Sequence, residues 1–147
     1  MGYVPIILSM LGVVFLWGLV NYYTIKNKRE ALTLATERVF TSAALRHQMV
    51  QQLAQEHPST NELSQLAAQP NLTAGQTTIQ EKLRAEKEIT QQIAALPPLP
   101  EEESQELLVA DRQYRRAVTL YHTYAQQYRE LLSKNPSKLV ARLTGYR

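Results

Sequence analysis

The chain has 147 residues, sixteen Lys and Arg against thirteen Asp and Glu, and no cysteine. A disulfide scaffold, a thiolate metal site, a Cys nucleophile and a lipid anchor on cysteine are therefore excluded, and one Asp with three His leaves little for an enzyme to use. No charge lies between Met1 and Ile25, so every ionic side chain falls on the remaining residues, which suffice for one modest core.

Val4 to Val20 is apolar apart from Ser9, and with Tyr3, Asn21, Tyr22 and Tyr23 it reaches the ~20 residues that cross ~30 Å of hydrocarbon. Tyr3 at one end and Trp17, Tyr22 and Tyr23 at the other sit like an aromatic belt. Pro5 falls in the first turn, where its missing N–H costs nothing. A cleaved signal peptide would show Lys or Arg before the apolar run and small residues after it, and neither is present. Residues 1–23 are thus expected to be a transmembrane anchor. Lys26, Lys28 and Arg29 follow the span and no cation precedes it, which puts the N-terminus outside and the long C-terminal part in the cytoplasm. A periplasm-facing version is the alternative.

Residues 24–147 read as an all-α, antiparallel four-helix bundle into which the anchor helix continues. Between Gly18 and Pro58 there is no Gly or Pro, so a helix over 24–56 extends the anchor as one rod. Its seam is Ile25, Leu32, Val39, Arg46 and Leu53, every seven residues, with Ala35 and Met49 between. Ser59 and Glu62 have capping-box spacing for a second helix over 59–68. Pro70 and Gly75 punctuate the turn before a third helix over 76–96, with Ile79, Leu83, Ile89 and Ile93 as its apolar positions. The run Leu96-Pro97-Pro98-Leu99-Pro100 ends that helix. The fourth helix covers 101–134, acidic at its start, with the seam Ala110, Tyr114, Ala117, Tyr121, Tyr124, Tyr128 and Leu131. Asn135 and Pro136 open a last short helix over 136–144, which Gly145 closes.

The tyrosine stripe Tyr114, Tyr121, Tyr124 and Tyr128 fits bundle packing better than a radical relay, because aromatics at helical spacing fill cores and bond their hydroxyls at the rim. Arg46 stands on an apolar seam and needs a partner, and Glu86 interrupts the third-helix seam in the same way. The two are expected to form a buried pair that fixes register, with snorkelling of Arg46 to solvent as the alternative. A di-iron bundle needs Glu three residues before His, and none precedes His47, His57 or His122 so. Neither a nucleophile–base pair nor a Gly-rich phosphate loop is present, and no catalytic residue, metal site or cofactor is expected. Asn71-Leu72-Thr73 matches a glycosylation sequon, a match common by chance and on the wrong side for the expected topology.

Charge divides the chain. Residues 26–55 carry five basic and two acidic side chains, residues 56–106 three and nine, and residues 107–147 eight and two. In an up-and-down bundle both basic portions end beside the bilayer, which anionic lipid favours by about 1 kcal/mol per cation near the surface. Membrane-surface contacts are expected from Lys26, Lys28, Arg29, Lys138, Arg142 and Arg147, the last three flanking an apolar face of Leu139, Val140, Leu143 and Tyr146. Nucleic acid is not expected as a partner, since no recognition motif accompanies the basic end.

The end of the chain, Tyr121, Tyr128, Pro136, Leu139, Ala141, Gly145 and Tyr146 in that spacing, resembles the C-terminal signature of the bacterial LemA family. His122 and Arg129 stand where that family usually has Asn, and Gln51-Gln52 replaces a usual Pro-Asn in the first helix. Tyr22, Ala35, Arg46 and Leu53 fall in that helix's register, and the middle of the chain matches little. The resemblance implies a single N-terminal anchor followed by an antiparallel helical bundle, and a link to membrane organisation. The function expected is that of a non-enzymatic, self-associating scaffold that organises or shapes the membrane. Neighbouring copies would cover apolar seam left open on the first and fourth helices. The alternatives are an adaptor that recruits a soluble protein partner through the acidic loop at Glu101, Glu102 and Glu103, and an enzyme with an unrecognised site.

Overall fold

The computed structural model describes residues 3–134 and 142–145, all of whose regular structure is helical. Four helices are present in chain order: α1 (Val4–Glu56), α2 (Asn61–Ala67), α3 (Ile79–Ala94) and α4 (Glu101–Ser133). The first and fourth match the expected 24–56 and 101–134 closely. The 59–68 helix begins later, because Thr60 rather than Ser59 is its N-cap, and Thr60 makes no side-chain capping bond. The capping box lies instead at α3. There the Thr78 hydroxyl accepts from the Glu81 amide and the Glu81 carboxylate accepts from the Thr78 amide, so the helix starts at Ile79 rather than 76. Replacing Thr78 by Ala should lower the stability of the folded chain by about 1 kcal/mol, read as a shift in denaturation midpoint. Gly75, with φ of 94°, turns the chain just before that cap. Of the last expected helix, 136–144, only residues 142–144 are described, and they are helical.

The chain divides into two compact units at places different from the expected 23/24 boundary. One unit joins the start of α1, up to Thr33, with the end of α4, from His122. Ile25 and Ala125 are buried in it, and the Lys28 ammonium donates to Gln127 Oε1 at 2.7 Å. The Tyr22 and Tyr23 rings meet edge to face, with centroids 5.7 Å apart. Polar side chains on this part of α1 turn inward on their own helix. The Ser9 hydroxyl donates to the Pro5 carbonyl, Asn21 Nδ2 to the Trp17 carbonyl at 2.9 Å, and the Thr24 hydroxyl to the Val20 carbonyl at 2.8 Å. Such bonds satisfy polar groups where no water is at hand.

The other unit spans Leu34–Tyr121 and contains the core. Its first cluster is Val39, Ala43, Tyr114 and Ala117, with Ile79, Leu83, Val118 and Tyr121 against it. Its second is Val50, Leu53, Leu63, Leu66 and Leu107, with Ile89, Ile93, Leu96 and Leu99 against it. Moving along α1 from Val39 to Leu53, partners on α3 rise in number and partners on α4 fall, so α3 runs parallel to this stretch of α1 and α4 antiparallel to both. The short α2 supplies Leu63 and Leu66 to one end of the core, on the chain's way back to the start of α3. Val50 is buried where Met49 was expected to be, and Met49 is half-buried.

Candidate functional site

Two features stand out: an apolar helix surface at one end of the chain and a cluster of buried charge in the Leu34–Tyr121 unit. On α1, Tyr3, Val4, Ile6, Ile7, Leu8, Met10, and most large apolar residues from there to Tyr23 are exposed. Exposed apolar surface of this extent is rare on monomeric water-soluble domains. The helix is long and apolar enough to cross a membrane.

The buried cluster is built on Arg46, which is 1% exposed. Its Nη2 reaches Glu86 Oε2 and also the Glu86 carbonyl at 3.3 Å, while Nη1 reaches Asp111 Oδ1 at 2.7 Å and the Thr90 hydroxyl at 2.8 Å. The guanidinium carbon lies 4.2 Å from the centre of the Tyr114 ring, a cation–π contact. Lys82, one helical turn before Glu86, is also 1% exposed and approaches Glu86 Oε1 at 2.8 Å and Asn71 Oδ1 at 2.9 Å. Asp111 gives its second oxygen to Arg115 Nε at 2.6 Å. Each of the four buried carboxylate oxygens thus faces a cation, and Arg46, Lys82, Glu86 and Asp111 together are neutral. Arg46 Nε is buried with no partner among the described residues.

The structure therefore puts Arg46 and Glu86 together rather than sending Arg46 to solvent. It adds three members that sequence reasoning missed: Lys82, Asp111 and Thr90. Asp111 lies four residues after buried Leu107 and three before buried Tyr114, and that register was the available signal. Lys82 was masked by its neighbour Leu83, which carried the seam although it is the less buried of the two. Such an arrangement has little to offer chemically, since its carboxylates are saturated and its cations enclosed. It fixes how α1, α3 and α4 are aligned.

Of the tyrosines, Tyr114 is buried, while Tyr121, Tyr124 and Tyr128 are half-buried. Burial, with the negative charge of Glu86 and Asp111 outweighing Arg46, pushes the Tyr114 hydroxyl up to about 12. His47 is pulled below its ordinary range mainly by burial, with Lys82 adding to this and Glu86 opposing it. An imidazole that protonates less readily folded than unfolded stabilises fully above the unfolded value, and that contribution is lost as pH falls through the folded one. Stability should accordingly drop on acidification from the His range downward, and His47→Gln should flatten that part of the profile in denaturation midpoints measured across pH.

The expected membrane-surface cations differ in setting. Lys26 pairs with Glu30 at 3.9 Å, Lys28 is tied to Gln127, and Arg29 and Arg142 are exposed. Lys138 and Arg147 lie outside the described residues. Among the described residues no group of three or more His, Asp or Glu is placed to hold a metal ion.

The class defined by these features is an all-α chain with one helix near the N-terminus long and apolar enough to cross a membrane. No family model, characterised protein or solved structure matches the chain.

Proposed function

We propose that the chain is a LemA-like, single-pass scaffold of a bacterial inner membrane, non-catalytic and self-associating, with its helical domain in the cytoplasm. The observation that carries this reading is the run of exposed apolar residues from Tyr3 to Tyr23 on a helix that continues into a packed helical unit. An anchor of that kind holds the unit at a membrane surface, and a unit whose buried charge is self-neutralised is suited to holding shape rather than to turnover. Lys26, Lys28 and Arg29 beside the span favour the cytoplasmic side and anionic lipid.

Exposed Leu34, Leu45, Leu108, Val109 and Leu120 support self-association. Of the seam residues, Ala110, Tyr114 and Ala117 are covered within the chain, while Leu32, Tyr124 and Leu131 are half-buried. The mass of the full chain in mild detergent and in nanodiscs tests the reading, together with a C-terminal reporter that works only in the cytoplasm. Assemblies of several copies and an active reporter are expected. A monomer at high concentration, or digestion of the C-terminus from the periplasmic side, would overturn it.

A further inference from the structure

The Leu34–Tyr121 unit carries a groove between α1 and α4, lined by Leu45, Gln48, Met49 and Gln52 on one wall and by α4 on the other. The α4 wall is Glu102, Gln105, Glu106, Val109, Ala110 and Gln113, and the helix continues outward with exposed Arg112 and Arg116. Glu102, Glu106, Arg112 and Arg116 make no hydrogen bond or ion pair among the described residues.

The order of these residues has a symmetry. Counting from Val109, Glu106 lies three residues before and Arg112 three after. Gln105 and Gln113 lie four before and four after, and Glu102 and Arg116 seven before and seven after. At ~100° per residue all of them fall within about 60° of Val109 around the helix axis, so they form one stripe ~21 Å long. Its two halves have opposite charge, and the centre is apolar.

From this stripe we infer that the occupant of the groove is a second copy of the same chain, with α4 packed antiparallel on α4 about a two-fold axis at Val109. The inference rests on the self-association proposed above and names one contact within it, which joins copies in pairs. A two-fold at Val109 sets Glu106 against the partner's Arg112, Glu102 against the partner's Arg116, Gln105 against the partner's Gln113, and Val109 against itself. An isologous contact repeats each pairing twice. A parallel pairing in register would set Glu102 against Glu102 and Arg116 against Arg116, and like charges in contact are repelled.

The absence of cysteine makes the contact testable with single thiols in the full chain reconstituted in vesicles. The V109C protein should form a covalent dimer on mild oxidation. E102C and R116C proteins should each do so poorly alone and well when mixed. The E106R protein should lose dimerisation by about tenfold or more, as should R112E, and a mixture of the two should dimerise again because each altered charge then faces its opposite. These positions are exposed, and unchanged helix content by circular dichroism shows that folding is intact. Crosslinking of R116C with itself as readily as V109C, or dimerisation of E106R at the native level, overturns the contact. If assemblies persist in detergent while V109C stays uncrosslinked, the contact is wrong and the scaffold reading stands; if no assembly forms at all, both fall.

Discussion

Replacing Arg46 by methionine should lower the stability of the Leu34–Tyr121 unit by ~3–5 kcal/mol, the largest loss expected from any single substitution in the chain. The residue is enclosed, and its removal leaves Asp111 Oδ1 and Glu86 Oε2 buried without the cation that both share. Carboxylates stripped of a partner in a low-dielectric interior must be protonated or must drag in water, and either costs free energy. The double variant R46M with Asp111→Asn should recover a substantial part of the loss. It leaves Lys82 with Glu86, still neutral as a pair, and frees Arg115, whose side chain is 63% exposed and solvates itself. Denaturant unfolding of the detergent-solubilised chain, followed by circular dichroism, reads both. A loss in the double variant equal to the sum of the two single losses would show that the cations and carboxylates act independently.

Leu11→Arg should release the chain from the membrane. An arginine near the middle of a span costs ~3 kcal/mol to insert and the leucine it replaces contributes a few tenths in the other direction, so a single change moves the insertion equilibrium by more than about a hundredfold. Leu11 is 63% exposed on α1, so no contact within the protein is lost and the effect is on the bilayer alone. The variant should appear in the soluble or aggregated fraction after alkaline extraction, while Leu11→Val stays with the membrane. Retention of L11R at native levels would mean that the helix is not inserted.

The contrast between these two sites shows what the amino-acid order makes legible. A helix long and apolar enough to cross a membrane is a one-dimensional property, an unbroken run of apolar residues. The helices were legible for a similar reason, since Pro and Gly mark their limits and the seam of α1 repeats every seven residues. The register of α3 was harder. Its most buried residues are Lys82 and Glu86, and the apolar positions Ile79, Leu83, Ile89 and Ile93 that carried the sequence pattern are only half-buried. These apolar positions share the inward face with Lys82 and Glu86 and pack against the core from its flanks, and a hydrophobic pattern does not show that the middle of such a face is ionic. Arg46 and Glu86 could be paired as two charges each needing an opposite, but the share taken by Asp111 depends on how α4 is placed, which no local spacing encodes. The capping box shows the same limit on a smaller scale. Ser59 with Glu62 and Thr78 with Glu81 have the same spacing, and the way the backbone enters each helix decides that only the second closes.

The distances along the chain between members of the ionic cluster set an order in time. Glu86 lies 40 residues after Arg46, and Asp111 lies 65 after it. At ~5–20 residues per second, Arg46 emerges from the ribosome about 3–13 s before Asp111 does. Throughout that interval α1 has no α4 to pack against. The guanidinium meets Glu86 first, when α3 emerges, and the contact that closes the unit waits for α4. A nascent chain therefore spends seconds with half of its core open, its buried cation already made and one of the carboxylates that neutralise it still to come.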